Sequence, residues 1–165
     1  MSNAPDQKPP NGIPGSLAFR AARHDDLPEL VHMLADDPLG AGREAFSEPL
    51  APGYEDAFAA IDSDPHSTLI VAILDGACVG MLQLTYVPSL TYQGRWRALV
   101  EGVRVSSTAR SSGIGQAMLQ WTIEQARRRG CVMVQLTTDR TRKDALRFYE
   151  RLGFVPSHHG MKLHL

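Results

Sequence analysis

Between a strand-like run, Trp96 to Val105, and a helix-like run, Gln116 to Gly130, the chain reads Arg110-Ser111-Ser112-Gly113-Ile114-Gly115. This junction restricts the fold more than any other stretch. Its glycines let the backbone curl tightly and approach a ligand with no Cβ atom in the way. The helix that follows aims unbonded N–H groups and the positive end of its dipole at one spot. Arg110 adds a donor for a charge-assisted bond. A strand, a glycine turn and a helix joined in this order form a cradle for an anion, phosphate above all. Two other phosphate loops fit less well. The P-loop needs a Lys after its last glycine, and none follows here. The dinucleotide fingerprint needs glycine where Ser111 stands, early in a βαβ unit, whereas this turn lies in the second half of the chain.

The 165 residues, 43% apolar and 21% charged, suit a single globular domain with one core. A formal net charge of -1 gives no general attraction to nucleic acid or to an anionic membrane surface. No apolar run is long enough to span a bilayer, and the N-terminus lacks the layout of a secretion signal, so a cytoplasmic protein is expected. Cys78 and Cys131 sit in apolar strand-like runs without metal spacing and read as reduced core residues. His158, His159 and His164 lack the Cys and acidic neighbours of a metal site, so no metal is expected. Residues 1–16 hold four prolines and few apolar side chains. They read as a disordered tail, leaving 17–165 as the folded domain.

Leu17 to Arg20 reads as a first strand. Asp25 or Asp26 caps a helix to about Ala35, with Leu27, Leu30, Val31 and Leu34 as its stripe, and Asp37-Pro38-Leu39-Gly40 breaks it. A second helix covers 53–61. Asp75-Gly76, between apolar runs 68–74 and 77–87, predicts a tight hairpin. Arg127-Arg128-Arg129-Gly130 reads as a helix end, with cations on the negative pole and glycine as the left-handed cap, rather than as a nucleic-acid patch. Cys131 to Leu136 predicts a strand covered on both faces. Arg142 to Leu152 predicts a helix closed by Gly153, and Phe154-Val155 and Met161 to Leu165 predict final strands. The order gives an α/β fold: a mixed, mostly antiparallel central sheet with helices on both faces.

Two separated blocks now carry a resemblance. One is Val103-Arg104-Val105 followed by Arg110-x-x-Gly113-x-Gly115. The other runs from Asp144 through Ala145, Phe148 and Tyr149 to Gly153-Phe154. In order and spacing they resemble the GCN5-related N-acetyltransferases, which move acetyl from acetyl-CoA to an amine. The likeness covers nearly all of the chain but the tail. It implies acetyl-CoA as cosubstrate, no metal, a small-molecule or peptide amine as acceptor, and a homodimer. It implies cofactor contacts from Val103, Arg104 and Val105, with the backbone of Val103 and Val105 pairing with the pantetheine arm as an added strand would. It implies a pyrophosphate held by the amides of Ser111, Ser112, Gly113, Ile114, Gly115 and Gln116, with Arg110 assisting. Tyr149 is then the general acid that protonates the departing thiolate.

Glu101 is the candidate base for the amine. Strict alternation puts it on one face with Val103 and Val105, and Arg104 on the other. Apolar neighbours there are expected to raise its pKa. Where the family often carries Asn, this chain has Arg142, which either meets a cofactor phosphate or is a solvated start to the helix. Two rivals share the glycine turn: a catalytically silent CoA-binding sensor, and a nucleotide-binding protein. The acceptor itself is not legible.

Overall fold

The computed structural model describes residues 13, 15–37, 40, 42–44 and 46–165. Five strands form one sheet in the order β1 (Leu17–Ala21), β2 (Ser67–Leu74), β3 (Ala77–Val87), β4 (Arg97–Val105) and β5 (Val134–Leu136). The first three junctions are antiparallel and the last is parallel. The helices are α1 (Leu27–Ala35), α2 (Pro52–Ser63), α3 (Thr91–Gly94, a single turn), α4 (Ile114–Arg128) and α5 (Lys143–Arg151).

The hairpin forms as its sequence demands. Asp75 and Gly76 both take positive φ, 49° and 86°, the geometry of a primed two-residue turn. Two apolar layers sandwich the sheet. On one face Phe19, Ile70, Leu82, Leu84, Ala98 and Val100 pack against Ile114, Ala117, Met118 and Trp121 of α4. On the other, Val71 and Met81 meet Leu30 and Met33 of α1, and Phe58 of α2 packs with Leu27 and Val31. The α1 stripe is therefore rotated slightly from the expected one, with Met33 buried and Leu34 only partly so.

The start of α1 uses Asp26 differently from a simple cap. A 3-10 turn (His24–Asp26) precedes the helix, and the Asp26 carboxylate accepts the Arg23 N–H at 2.6 Å and a two-pronged bond from Arg20. That anchors the turn to β1.

The C-terminal expectation needs correction. Neither Phe154-Val155 nor Met161 to Leu165 forms a strand. Val155, Met161, Leu163 and Leu165 are exposed, and among the described residues no backbone ladder takes up this segment. The fifth strand is also shorter than the apolar run that predicts it. At the other end, Ile13 packs against the α4-side core, and Ser16 and Asp75 exchange backbone and side-chain bonds. These residues fall within the expected tail, while 1–12 and 14 lie outside the described residues.

Candidate active site

The site is organised by β4, whose two edges differ. Toward β3 the register runs from Val87↔Arg97 to Gly80↔Val105. Toward β5 it covers only Ala98, Leu99 and Val100. Past Val100 the two strands separate, and among the described residues no strand lies beside the outer edge of 101–105.

A bulge interrupts the β3 side. Gln83 pairs with Glu101 and Met81 with Arg104, so Gly102 and Val103 together stand opposite Leu82. Gly102 has φ 61°, a conformation glycine adopts without the Cβ clash. The extra residue overturns the alternation expected for this strand. Val103 and Val105 pack into the α4-side core. Arg104 lies opposite Met81, a residue of the α1-side core. Glu101 now shares that α1 face with Arg104 instead of sharing a face with the valines. Glu101 is also exposed, so the desolvating apolar setting expected for it is not what surrounds it.

At the end of β4 the chain makes the glycine turn. Ser111 has φ 64° and Gly113 φ 87°. Gly113 is the N-cap of α4, and no side chain caps that helix. The first intrahelical bond of the turn is Ala117 N–H to Gly113 O at 3.0 Å, so the N–H groups of Ile114, Gly115 and Gln116 have no helical acceptor. Ser112 bonds back to the Ala109 carbonyl at 2.6 Å, which fixes the loop. The second glycine serves packing rather than turning. A Cβ on Gly115 would lie 3.5 Å from Val105 and 3.7 Å from Phe148, so α5 rests close against the start of α4.

The arginines sit elsewhere than an anion cradle alone would require. Arg110 donates from Nε to the Val105 carbonyl at 3.1 Å, and from Nη2 to the Asp36 carbonyl at 2.7 Å and carboxylate at 3.2 Å. Arg104 donates to the Val103 carbonyl at 2.9 Å and pairs with Asp37 at 3.1 Å. Arg142 pairs with the same Asp37 carboxylate. Three basic residues from β4, the glycine turn and α5 thus converge on the acidic end of α1. The sequence signal for this was available: two carboxylates at the negative pole of a helix are unfavourable unless cations meet them.

Tyr149, on α5, is partly buried and makes edge contacts with Phe148 (centroids 5.3 Å apart) and Phe154 (5.9 Å). Burial raises its pKa above the ordinary 10.0, while the nearby Arg104 and Arg142 pull the other way. The phenol is therefore protonated at neutral pH, the form that can donate. Among the described residues no hydrogen bond engages its hydroxyl, and no group of three or more His, Cys, Asp or Glu side chains is gathered as a metal site would be. A surface cavity of about 270 Å³ lies between the far end of α4, β5 and Leu152 to Phe154, and neither Glu101, Tyr149 nor the glycine turn lines it.

The family model described as "Acetyltransferase (GNAT) family" matches residues 28–154. The chain belongs to that family. It is accordingly an N-acetyltransferase, an enzyme that moves an acetyl group to an amine, and its mixed sheet with flanking helices is the family's fold. A curated relative, the aminoalkylphosphonate N-acetyltransferase of Salmonella typhimurium, is 33% identical over 64% of this chain and 68% of its own length. The glucosamine 6-phosphate N-acetyltransferase of Trypanosoma brucei brucei is 37% identical over 54% of this chain and 59% of its own. Among solved structures, one described as a transcriptional regulator from Bacillus halodurans C-125 is 53% identical, with a TM-score of 0.88 over 90% of this chain and 99% of that one. No helix among the described residues is long and apolar enough to cross a membrane.

Proposed function

We propose that this acetyltransferase acts on the primary amine of a small molecule or peptide by direct attack. The observation that carries the reading is a convergence at one end of β4. An unpaired backbone edge, an uncapped helix N-terminus and a protonated tyrosine meet there.

The residues present suit acetyl-CoA. The orphan amides of Ile114, Gly115 and Gln116, with the turn Ser111 to Gly113, suit its pyrophosphate. The outer edge of Val103 and Val105 suits its amide-bearing arm. An incoming chain there displaces the Arg104 and Arg110 guanidiniums from the two valine carbonyls, or uses the N–H groups beside them. Arg110, held at the turn by Asp36, assists from there. When bound, acetyl-CoA supplies the acetyl group as an activated thioester.

The chain's own residues then handle protons. Glu101, exposed on the α1 face, takes the amine proton through water. Tyr149 donates its hydroxyl proton to the departing sulfur, and burial keeps that proton in place at working pH. Cytoplasmic action agrees with Cys78 and Cys131 both being free thiols. A homodimer agrees with the exposed apolar side chains Val155, Met161, Leu163 and Leu165.

The test is release of free CoA from acetyl-CoA across a panel of amines: a polyamine, amino acids, aminoalkylphosphonates, an amino sugar phosphate and a peptide. Thiol release that requires an amine supports the reading. One rival has a specific observation in its favour, the regulator description of the 53% identical structure. A silent CoA-binding sensor is the result if acetyl-CoA binds and no amine releases CoA.

A further inference from the structure

The charge count around Asp37 points to an additional anion. Asp37 is 8% exposed and accepts Arg104 and Arg142 together. Arg43 and Glu44 are the other charged groups acting on Arg104, and Glu44 accepts the Tyr54 hydroxyl at 3.0 Å. Three cations, Arg43, Arg104 and Arg142, thus face two carboxylates, Asp37 and Glu44. Asp36 is already matched by Arg110.

The guanidinium of Arg104 is also under-used. Its Nε is buried without a hydrogen-bond partner. Its side chain is 15% exposed, and burial together with Arg142 and Arg43 lowers its pKa despite Asp37. Among the described residues the hydrogen bonds of Arg142 engage one of its three nitrogens. Cations gathered in a half-dry place with donors to spare are stabilised by one more anion. Planar guanidinium forks match the oxygens of a phosphoryl group.

The location decides whose anion it is. The bulge at Gly102 puts Arg104 on the α1 face with Glu101, whereas the glycine turn opens α4 on the opposite face and has Arg110 of its own. Arg104 and Arg142 are both close enough to Tyr149 to act on its titration. A group held by them therefore lies beside Tyr149, on the face of β4 that carries Glu101, where the acceptor must be.

We infer that Arg104 and Arg142, positioned by Asp37, hold a phosphoryl group of the acceptor, which makes the substrate a small amine bearing a phosphate or phosphonate. The inference rests on the transferase reading above. By their names, both curated relatives act on amines with such a group.

Two matched pairs test it: 2-aminoethylphosphonate against propylamine, and glucosamine 6-phosphate against glucosamine, each with acetyl-CoA. In at least one pair the wild type is expected to favour the anionic member in kcat/KM by about 10- to 100-fold, the range of one or two charge-assisted hydrogen bonds. Arg142→Gln collapses that preference to within about threefold, and Arg142→Lys restores part of it. Arg104→Gln gives the same collapse where it folds, and Arg142, on the rim, keeps the test decisive where it does not. Equal kcat/KM within both pairs overturns the inference but leaves the transferase intact. A preference that survives in Arg142→Gln while the KM for acetyl-CoA rises also overturns it, and gives the arginines to the cofactor. No transfer to any amine overturns both.

Discussion

The two edges of β4 are built from one stretch of sequence and do opposite work. On the inner edge the strand is stitched to β3 along almost its whole length, and its apolar residues feed the α4-side core. On the outer edge only three positions meet β5, and the rest is left to side chains of arginine. An edge with free backbone groups is ordinarily a hazard that a protein covers. Here it ends at an uncapped helix and a tyrosine, so the uncovered edge reads as a slot kept for a ligand. The bulge links the two edges. By adding one residue opposite Leu82 it keeps the valines in the core and turns Arg104 to the α1 face.

The inner edge breaks with the largest effect. Leu82 is fully buried opposite the bulge. Leu82→Ala is expected to lower unfolding stability by about 2–5 kcal/mol, read by chemical denaturation, because a cavity opens where the β4 register is set. A cost under about 1 kcal/mol contradicts that role for Leu82.

On the outer edge the effects fall on rate instead. Tyr149→Phe is expected to cut kcat by about 100-fold while acetyl-CoA affinity changes little. Its pH signature has a definite sign. The protonated phenol is the active form and burial raises its pKa, so the loss of rate due to Tyr149 falls at a more alkaline pH than an ordinary phenol would give. A fall centred near pH 8 that disappears in Tyr149→Phe contradicts the assignment. Glu101→Gln has a smaller effect, on the order of tenfold near neutrality, since water can reach this exposed site in its place. A kcat/KM unchanged in Glu101→Gln removes Glu101 as the base.

How much of this was legible in the chain follows from how local each cause is. The β2–β3 hairpin is written in Asp75-Gly76 and its flanking runs, and it forms accordingly. The glycine turn is equally local, although Gly113 turns the chain and Gly115 makes room for Phe148. The bulge is half legible. A glycine within a strand marks a break in pleat, but strict alternation ignores it and misplaces Glu101 relative to Val103. The Asp37 cluster joins residues up to 105 apart in sequence, and no local pattern announces it beyond the odd placement of acids at the end of α1 and of Arg142 at the start of α5. The predicted C-terminal strands fail for a related reason. Alternation in Met161 to Leu165 supplies one half of a pairing, and among the described residues no ladder forms with it.

The most direct test of the slot is calorimetric titration of acetyl-CoA into the wild type and into Gly113→Trp. Gly113 has φ 87° and opens α4, so a large side chain there both strains the turn and covers its amides. The slot predicts micromolar binding by the wild type and a loss of at least about 100-fold in the variant, the scale of several charge-assisted bonds lost together. Equal binding by both proteins, or none by the wild type, contradicts the assignment of this edge and turn to the cosubstrate.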